Sequence, residues 1–235
     1  MTLVLGADGC RDGWCCVGID ADTGAILDAF VCDSFESVLA SPAASICVDI
    51  PIGLFDGPGQ RLCDTQARRM LGPARGSSVF PPPSRRSLAF DDYRSASDAN
   101  YQLTGRHLNK QSFNIAPKIR EVDAAMKAGM QKWVREAHPE LCFWAINAGR
   151  PMRFNKKTTF GREQRWRLLR AVLPDVRPNP SLPPELKGRC GADDYVDAIV
   201  CAWTALCVVR GDGQRIPAEP EVDERGLRME MWLPT

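Results

Sequence analysis

Residues 3–14 read Leu3-Val4-Leu5-Gly6-Ala7-Asp8-Gly9-Cys10-Arg11-Asp12-Gly13-Trp14, and this stretch decides the fold. An apolar run of strand length ends on one carboxylate, Asp8, and a second apolar run follows after a short loop. A strand, an Asp-Gly turn and another strand predict a β-hairpin. A carboxylate beside a core is costly unless it is paired or bound to a cation. We therefore expect acids from elsewhere in the chain to converge on Asp8.

The composition favours one globular domain and indicates no partner by charge alone. The chain has 235 residues, of which 44% are hydrophobic, and a net charge of +1. This length supports a single domain over residues 1–235 that includes an insertion. Because the net charge is near zero, any surface that binds nucleic acid has to be a local patch.

The cysteines and the apolar runs indicate the environment of the protein. Most of the ten cysteines lie inside apolar runs, where a thiol acts as a small hydrophobic group. There is no Cys-x-x-Cys motif and there are only two histidines, so a zinc site is not expected. No signal-peptide pattern opens the sequence, and no apolar run nears the ~20 residues of a membrane span. We expect a soluble, cytoplasmic protein without a membrane partner.

The order of the predicted strands and helices is typical of an α/β protein. The first half of the chain predicts strands at 2–8, 14–20, 25–32 and 44–49, with a short helix at 34–39. The strand at 44–49 is apolar on both faces, so we place it centrally and parallel to the first strand. The second half predicts a fifth strand at 131–138, helices at 139–147, 161–170 and 192–209, a proline-rich connection at 174–191, and a closing strand near 227–232 over a sheet edge.

Residues 55–130 are interpreted as an insertion that forms a cap or lid on the sheet. The segment is polar and basic. It predicts helices at 61–71, 93–104 and 119–127 and an irregular stretch at 72–86 that is rich in glycine, serine and proline. Its position after the fourth strand places it beside the expected site.

Four aspartates are candidate metal ligands. Asp8 and Asp49 follow two adjacent central strands, where open α/β sheets place their sites. Asp194 and Asp197 are three residues apart on the last predicted helix, so they share a face. Three of them also suit a structural role, because Asp8 fits a turn, Asp49 fits a cap and Asp194 fits the first turn of a helix. Asp197 is surrounded by apolar residues, which favours function.

A cluster of these acids predicts a site for Mg²⁺ or Mn²⁺, cations that prefer oxygen ligands. Two such ions about 4 Å apart activate water and stabilise the leaving oxygen in phosphodiester hydrolysis. The site thus predicts a two-metal nuclease, with DNA or RNA as the partner.

The same features resemble the ribonuclease-H-like superfamily. The segment Asp194-Tyr195-Val196-Asp197-Ala198 is similar to the Asp-x-x-Asp-Ala helix of its Holliday-junction resolvases. More narrowly, the chain resembles the domain-of-unknown-function family DUF429, whose members are predicted nucleases of the ribonuclease H fold. The motifs that carry this resemblance are Gly6-Ala7-Asp8-Gly9-Cys10…Gly13-Trp14, Val48-Asp49-Ile50-Pro51-Ile52-Gly53-Leu54, Ser78-Val79-Phe80, Glu136-Ala137-His138-Pro139-Glu140 and Lys156-Lys157-Thr158…Gly161.

The resemblance covers nearly the whole chain. It implies a mixed five-stranded sheet with flanking helices and a helical or irregular insertion after the fourth strand. It also implies that Asp8, Asp49 and Asp197 are metal ligands, with Asp194 as the fourth.

Residues near the end of the fifth predicted strand are further candidates. His138 is a candidate general base or leaving-group acid, and Glu140 or Glu136 a further ligand. The alternative is structural: Glu140 caps its helix and His138 bonds a backbone group.

Basic residues near the expected site are candidate substrate contacts. Lys156, Lys157 and Arg165 are predicted to contact phosphate groups of the substrate. Arg61, Arg68, Arg85, Arg86, Arg162, Arg167 and Arg170 are candidates for the same surface. The alternative is that these residues form only a solvated face.

Two other classes of function remain open at this stage. An actin-like phosphotransferase or ATPase also carries Asp-Gly in its first hairpin, but that class duplicates its core and the sequence shows no second such hairpin. A non-catalytic binding module would keep the fold and use the insertion as an interaction surface.

Overall fold

The computed structural model of the chain describes residues 1–173, 176 and 181–235. Within the predicted proline-rich connection, residues 174, 175 and 177–180 lie outside the described residues. None of the helices in the described ranges combines the length and apolar character that crossing a bilayer requires.

A mixed five-stranded sheet forms the centre of the fold. Its strands are β1 (Leu3–Cys10), β2 (Gly13–Asp20), β3 (Ile26–Cys32), β4 (Ser45–Asp49) and β5 (Val134–Glu136), in the order β3-β2-β1-β4-β5. β1 is antiparallel to β2 and parallel to β4, and β4 is parallel to β5. The predicted α/β class is confirmed, and the arrangement is that of the ribonuclease-H-like fold.

Helices cover both faces of this sheet. They are α1 (Phe35–Leu39), α2 (Leu62–Arg75), α3 (Tyr93–Thr104), α4 (Lys110–Ala125), α5 (Pro139–Ile146), α6 (Thr159–Val172) and α7 (Ala192–Arg210). Side chains of β1 alternate between the two faces, as a period of two residues requires. Val4 belongs to the core that includes α7, whereas Leu5 and Ala7 belong to the core that includes α1 and α4.

The first hairpin differs from the prediction. β1 does not end at Asp8 but continues to Cys10, and Asp8 is paired with Cys15 of β2. The two residues of the turn are Arg11 and Asp12. The Asp-Gly dipeptide is a common turn signal, but here the pairing of the two apolar strands extends past it. Asp8 is therefore inside a central strand rather than in a loop.

Several predicted bounds also shift. α4 begins at Lys110 rather than at 119, because the Asn109 side chain caps it by accepting from the Ser112 N–H at 2.7 Å. Pro117 lies within this helix, and a proline in that position argues against a helix at the level of sequence. α2 continues to Arg75 across a kink at Gly72. β5 is confined to three residues of the predicted range 131–138.

A second, two-stranded sheet follows α7. The predicted closing strand is present as β7 (Arg228–Pro234), and its partner β6 (Gly213–Val222) was not predicted. β6 contains Pro217 and Pro220, which are unfavourable in a strand that needs both neighbours. In the described residues β6 pairs with another strand on one side only. Such an edge strand tolerates prolines, because its other side needs no backbone hydrogen bonds. Trp232 of β7 bridges to Ala137, next to the edge strand β5.

The last helix lies directly on the first strand, and Gly6 makes this approach possible. A Cβ atom at Gly6 would overlap the backbone of Ala198 and Ala202 in α7. Asp8 is two residues further along β1 and points to the same face of the sheet. Asp197 precedes Ala198 in α7, so this approach also brings the two carboxylates together.

We expect Gly6→Ala to lower the free energy of unfolding by about 3 kcal/mol, because the added methyl group would overlap backbone atoms of Ala198 and Ala202, which would have to shift. Urea unfolding followed by circular dichroism measures this change. Gly129→Ala is the matched control, since a Cβ atom there would have nothing within 4 Å. Equal effects of the two substitutions would contradict the assignment of Gly6 to the β1–α7 contact.

Candidate metal centre

Three carboxylates from distant parts of the chain meet at the ends of the central strands. Asp8 and Asp49 are direct partners in the parallel pairing of β1 with β4, and Asp197 reaches them from α7. Each of the three offers an oxygen within 4.8 Å of those of the other two. We call this group the carboxylate triad. The convergence that the sequence leads us to expect is present in the structure.

The carboxylate triad lines a cavity of about 450 Å³. Residues of the predicted insertion, including Ser78, Phe80, Gln111 and Lys118, line the same cavity. The triad lies at the carboxyl end of β4 and near that of β1, which continues two residues past Asp8. A cavity of this size is within the range of sites that bind small ligands.

The acids of the triad are held at an electrostatic cost. Burial raises the pKa of Asp8 well above its ordinary value, and the carboxylates of Asp49 and Asp197 raise it further. Burial also raises the pKa of Asp49. It raises the pKa of Asp197 to about 6, even though the Lys156 ammonium opposes the shift. In the described part of the chain, the side chains of Asp8 and Asp49 accept no hydrogen bond that would offset this cost.

Lys156 belongs to the site through an ion pair with a triad acid, and the sequence did not predict this pair. Its Nζ lies 2.6 Å from Oδ2 of Asp197 and 3.9 Å from Oδ2 of Asp193. Burial by itself lowers the pKa of this ammonium group, but Asp197 and the other triad acids raise it by more. The predicted role was contact with a phosphate group of the substrate. In the structure the ammonium group contacts Asp197 of the carboxylate triad and Asp193.

Asp194 does not join the triad. Its Oδ2 accepts a hydrogen bond from the Gly191 N–H at 2.8 Å, so the side chain turns back to cap α7. The spacing of three residues does place Asp194 and Asp197 on one face of the helix. However, Asp194 is in the first turn, where a free backbone N–H competes for the carboxylate. The structural alternative for Asp194 describes this geometry.

Glu136 is also directed elsewhere. Both of its oxygens accept hydrogen bonds from Arg61, at 2.7 and 2.8 Å, and one accepts from the Ile52 N–H. Arg61 is in turn paired with Asp64 at 2.7 Å, and all three side chains are buried. Glu136 follows Val134 by two residues in β5, so it points to the sheet face opposite Asp49. These contacts also remove Arg61 from the predicted phosphate-binding surface.

Glu140 and Arg165 neutralise each other at the side of the cavity. The Arg165 guanidinium donates to Glu140 and also to the carbonyl of Gly161, and its side chain is only 1% exposed. Arg165 therefore does not fit the predicted contact with a phosphate group. Glu140 lines the cavity with its Oε1 paired to Arg165, while its buried Oε2 has no hydrogen-bond partner among the described residues.

His138 keeps a free position near the triad. Its Nε2 lies 3.4 Å from the Ser78 carbonyl, and its Nδ1 is buried without a hydrogen-bond partner among the described residues. The ring lines the cavity with Asp49. One nitrogen of the ring thus has no protein partner among the described residues, and that atom is itself buried.

The chemistry of the donor set fits a divalent metal ion. Three carboxylates offer only oxygen atoms, which suit Mg²⁺ and Mn²⁺ better than softer ions. A cation between them would remove the repulsion that raises the pKa of Asp8. Asp8, Asp49 and Asp197 would hold the ion, whereas Asp194, Glu136 and Glu140 contact Gly191, Arg61 and Arg165.

The fold and the triad together define a ribonuclease-H-like protein with an acidic cluster at the end of its central strands. The family model described as "Protein of unknown function (DUF429)" matches residues 6–222. The chain belongs to this family, which confirms the resemblance found in the sequence. No curated protein and no solved structure matches the chain.

We expect Asp8→Asn to stabilise the metal-free protein at neutral and alkaline pH. Folding raises the pKa of Asp8, so the charged form lowers stability once the pH exceeds the unfolded value of about 3.9. The gain should be about 1 kcal/mol or more at about pH 8 and smaller at about pH 4.

Urea unfolding of both proteins in a chelating buffer at the two pH values measures this difference. Asp28→Asn is the control, because the Asp28 side chain is exposed on β3. A loss of stability in Asp8→Asn at about pH 8 would show that the carboxylate is structurally required.

Proposed function

We propose that this protein is a divalent-metal-dependent nuclease that hydrolyses phosphodiester bonds of nucleic acid. The observation that carries the proposal is the convergence of Asp8, Asp49 and Asp197 on one point of a cavity. Buried carboxylates with raised pKa values destabilise the fold when they are ionised, unless a cation balances their charge. Membership of the DUF429 family is compatible with this function, although it specifies no activity.

The residues around the triad support phosphoryl chemistry. When bound to the triad, Mg²⁺ or Mn²⁺ supplies a water molecule of lowered pKa and a positive charge next to the phosphate group. His138 lines the cavity with Asp49, and we assign its imidazole to exchange a proton with the attacking water or with the leaving oxygen. In this hydrolysis the water oxygen bonds to phosphorus and the bond between phosphorus and the ester oxygen breaks. One proton of the water passes to the leaving ester oxygen.

A nucleic-acid substrate is supported by the cations at the cavity. Lys118 and Lys157 line it together with the triad. Lys157 is exposed, so its ammonium is accessible to a phosphate group. These lysines offset the negative charge of the floor of the cavity and would orient the substrate backbone over it. They do not select a base sequence, so both DNA and RNA are candidate substrates.

The alternatives have less support. Actin-like phosphotransferases duplicate their core, whereas the described residues form one five-stranded sheet. A binding module has no use for three buried carboxylates that repel one another. The cytoplasmic location remains part of the proposal, and it is supported by the ten cysteines, which are all free thiols.

The proposal predicts metal-dependent cleavage that needs the triad. Purified protein should cleave at least one of four substrates, namely single-stranded, duplex and branched DNA and an RNA–DNA hybrid, when Mg²⁺ or Mn²⁺ is added. Asp8→Asn and Asp49→Asn should each reduce the rate about a hundredfold or more, because each removes a ligand of the charge-stabilising centre. Gel analysis of labelled substrates measures the rates.

Asp28→Asn should retain activity, which excludes a general effect of losing an acid. A contaminating nuclease would leave cleavage unchanged in Asp8→Asn, and that outcome would refute the assignment of the activity to this protein. ATP hydrolysis without nucleic acid, lost in the same variants, would favour the phosphotransferase alternative.

A further inference from the structure

Hydrogen bonds hold the backbone on both sides of Lys156, and this positions the lysine side chain at the carboxylate triad. The Asn155 carbonyl accepts hydrogen bonds from the N–H and the hydroxyl of Thr158, which caps α6. A Cβ atom at Gly161 would overlap that carbonyl, so the absence of a side chain allows the turn to lie against the helix. The lysine is thus positioned before any ligand arrives.

The N-terminal side of the turn is held by α6 as well. The Gln164 side chain accepts from the backbone N–H groups of Arg153 and Phe154. The buried Arg165 donates to the Phe154 carbonyl at 3.3 Å. These contacts hold the backbone on which Lys156 stands, and a long flexible side chain on a fixed backbone loses less entropy in forming one contact.

The ammonium group stands where a cation is needed. Its Nζ is 2.6 Å from Asp197, whose side chain is only 3% exposed, while the lysine side chain is 35% exposed. It therefore covers Asp197 from the cavity side. A lysine ammonium has three donors, and those not directed at Asp197 and Asp193 are available to a phosphate oxygen.

The charges of the centre favour one divalent ion. With a cation bound and all three carboxylates ionised, the triad would carry three negative charges, and Lys156 carries one positive charge. The remaining two negative charges are balanced by a single Mg²⁺ or Mn²⁺. A second divalent ion would leave the centre with two excess positive charges and would have to bind next to the ammonium group, which repels it.

We propose that the carboxylate triad holds a single divalent ion and that the Lys156 ammonium supplies the second positive charge at Asp197. This inference rests on the proposed metal site and changes the two-ion arrangement that the acids alone predict. Lys156 would then act as a built-in cation that stabilises the negative charge on a phosphate group bound at the triad.

The test counts ions in the protein without relying on its activity. Isothermal titration with Mn²⁺, together with electron paramagnetic resonance of the bound ion, gives the number and affinity of the sites. The wild-type protein should bind one Mn²⁺. Lys156→Gln should bind two, and its first site should be about tenfold tighter or more, because a like charge has been removed from the centre.

Two matched variants separate position from charge. Lys156→Arg keeps a cation at Asp197 and should again bind one Mn²⁺. Lys157→Gln removes the neighbouring positive charge, which makes no ion pair in the described residues, and should also bind one. Thermal unfolding checks that each variant is folded.

Each outcome bears on a distinct claim. Two Mn²⁺ ions in the wild-type protein would overturn the role of Lys156 and leave the proposed nuclease standing. One ion in both the wild type and Lys156→Gln would overturn it as well. A wild-type protein that binds no Mn²⁺ at the triad would refute the proposed metal site, and this inference with it.

Discussion

The close packing of α7 on β1 is the contact on which the rest of the structure depends. Gly6 leaves space for the backbone of Ala198 and Ala202, so the helix lies against the strand without intervening side chains. The same contact sets the distance between Asp8 on the strand and Asp197 on the helix. Packing of the core and the position of the acidic cluster thus depend on the same contact, because both follow from how closely α7 approaches β1.

The electrostatics of the chain separate two kinds of buried acid. Glu136 and Asp64 share Arg61, and Glu140 is paired with Arg165, so each of these carboxylates has an arginine partner, although burial still raises the pKa of Glu136 to about 7. Asp8 and Asp49 have no such partner among the described residues, and Asp197 has one lysine. The acids with arginine partners have their charge balanced within the fold, whereas acids left with unbalanced charge indicate where a cation would bind.

Much of the site was predictable because it rests on the ends of regular elements. Asp49 follows an apolar run of strand length, and Asp197 lies among apolar residues of a long helix, so both positions could be inferred from periodicity. The structure differs from the sequence-based expectations where a side chain could form either of two contacts. Asp194 caps its own helix, Glu136 points to the other face of β5, and Arg165 turns inward to Glu140. A sequence pattern does not contain these competing contacts.

The sequence by itself determined the central strands, their apolar faces and the positions of Asp8, Asp49 and Asp197 within their elements, because each follows from a local period of two or 3.6 residues. Tertiary structure decided which partner each remaining charge takes. Lys156 is distant in sequence from Asp197, and only the turn that α6 holds brings them within 2.6 Å. Choices of this kind depend on distances between separate elements, and those distances exist only once the chain has folded.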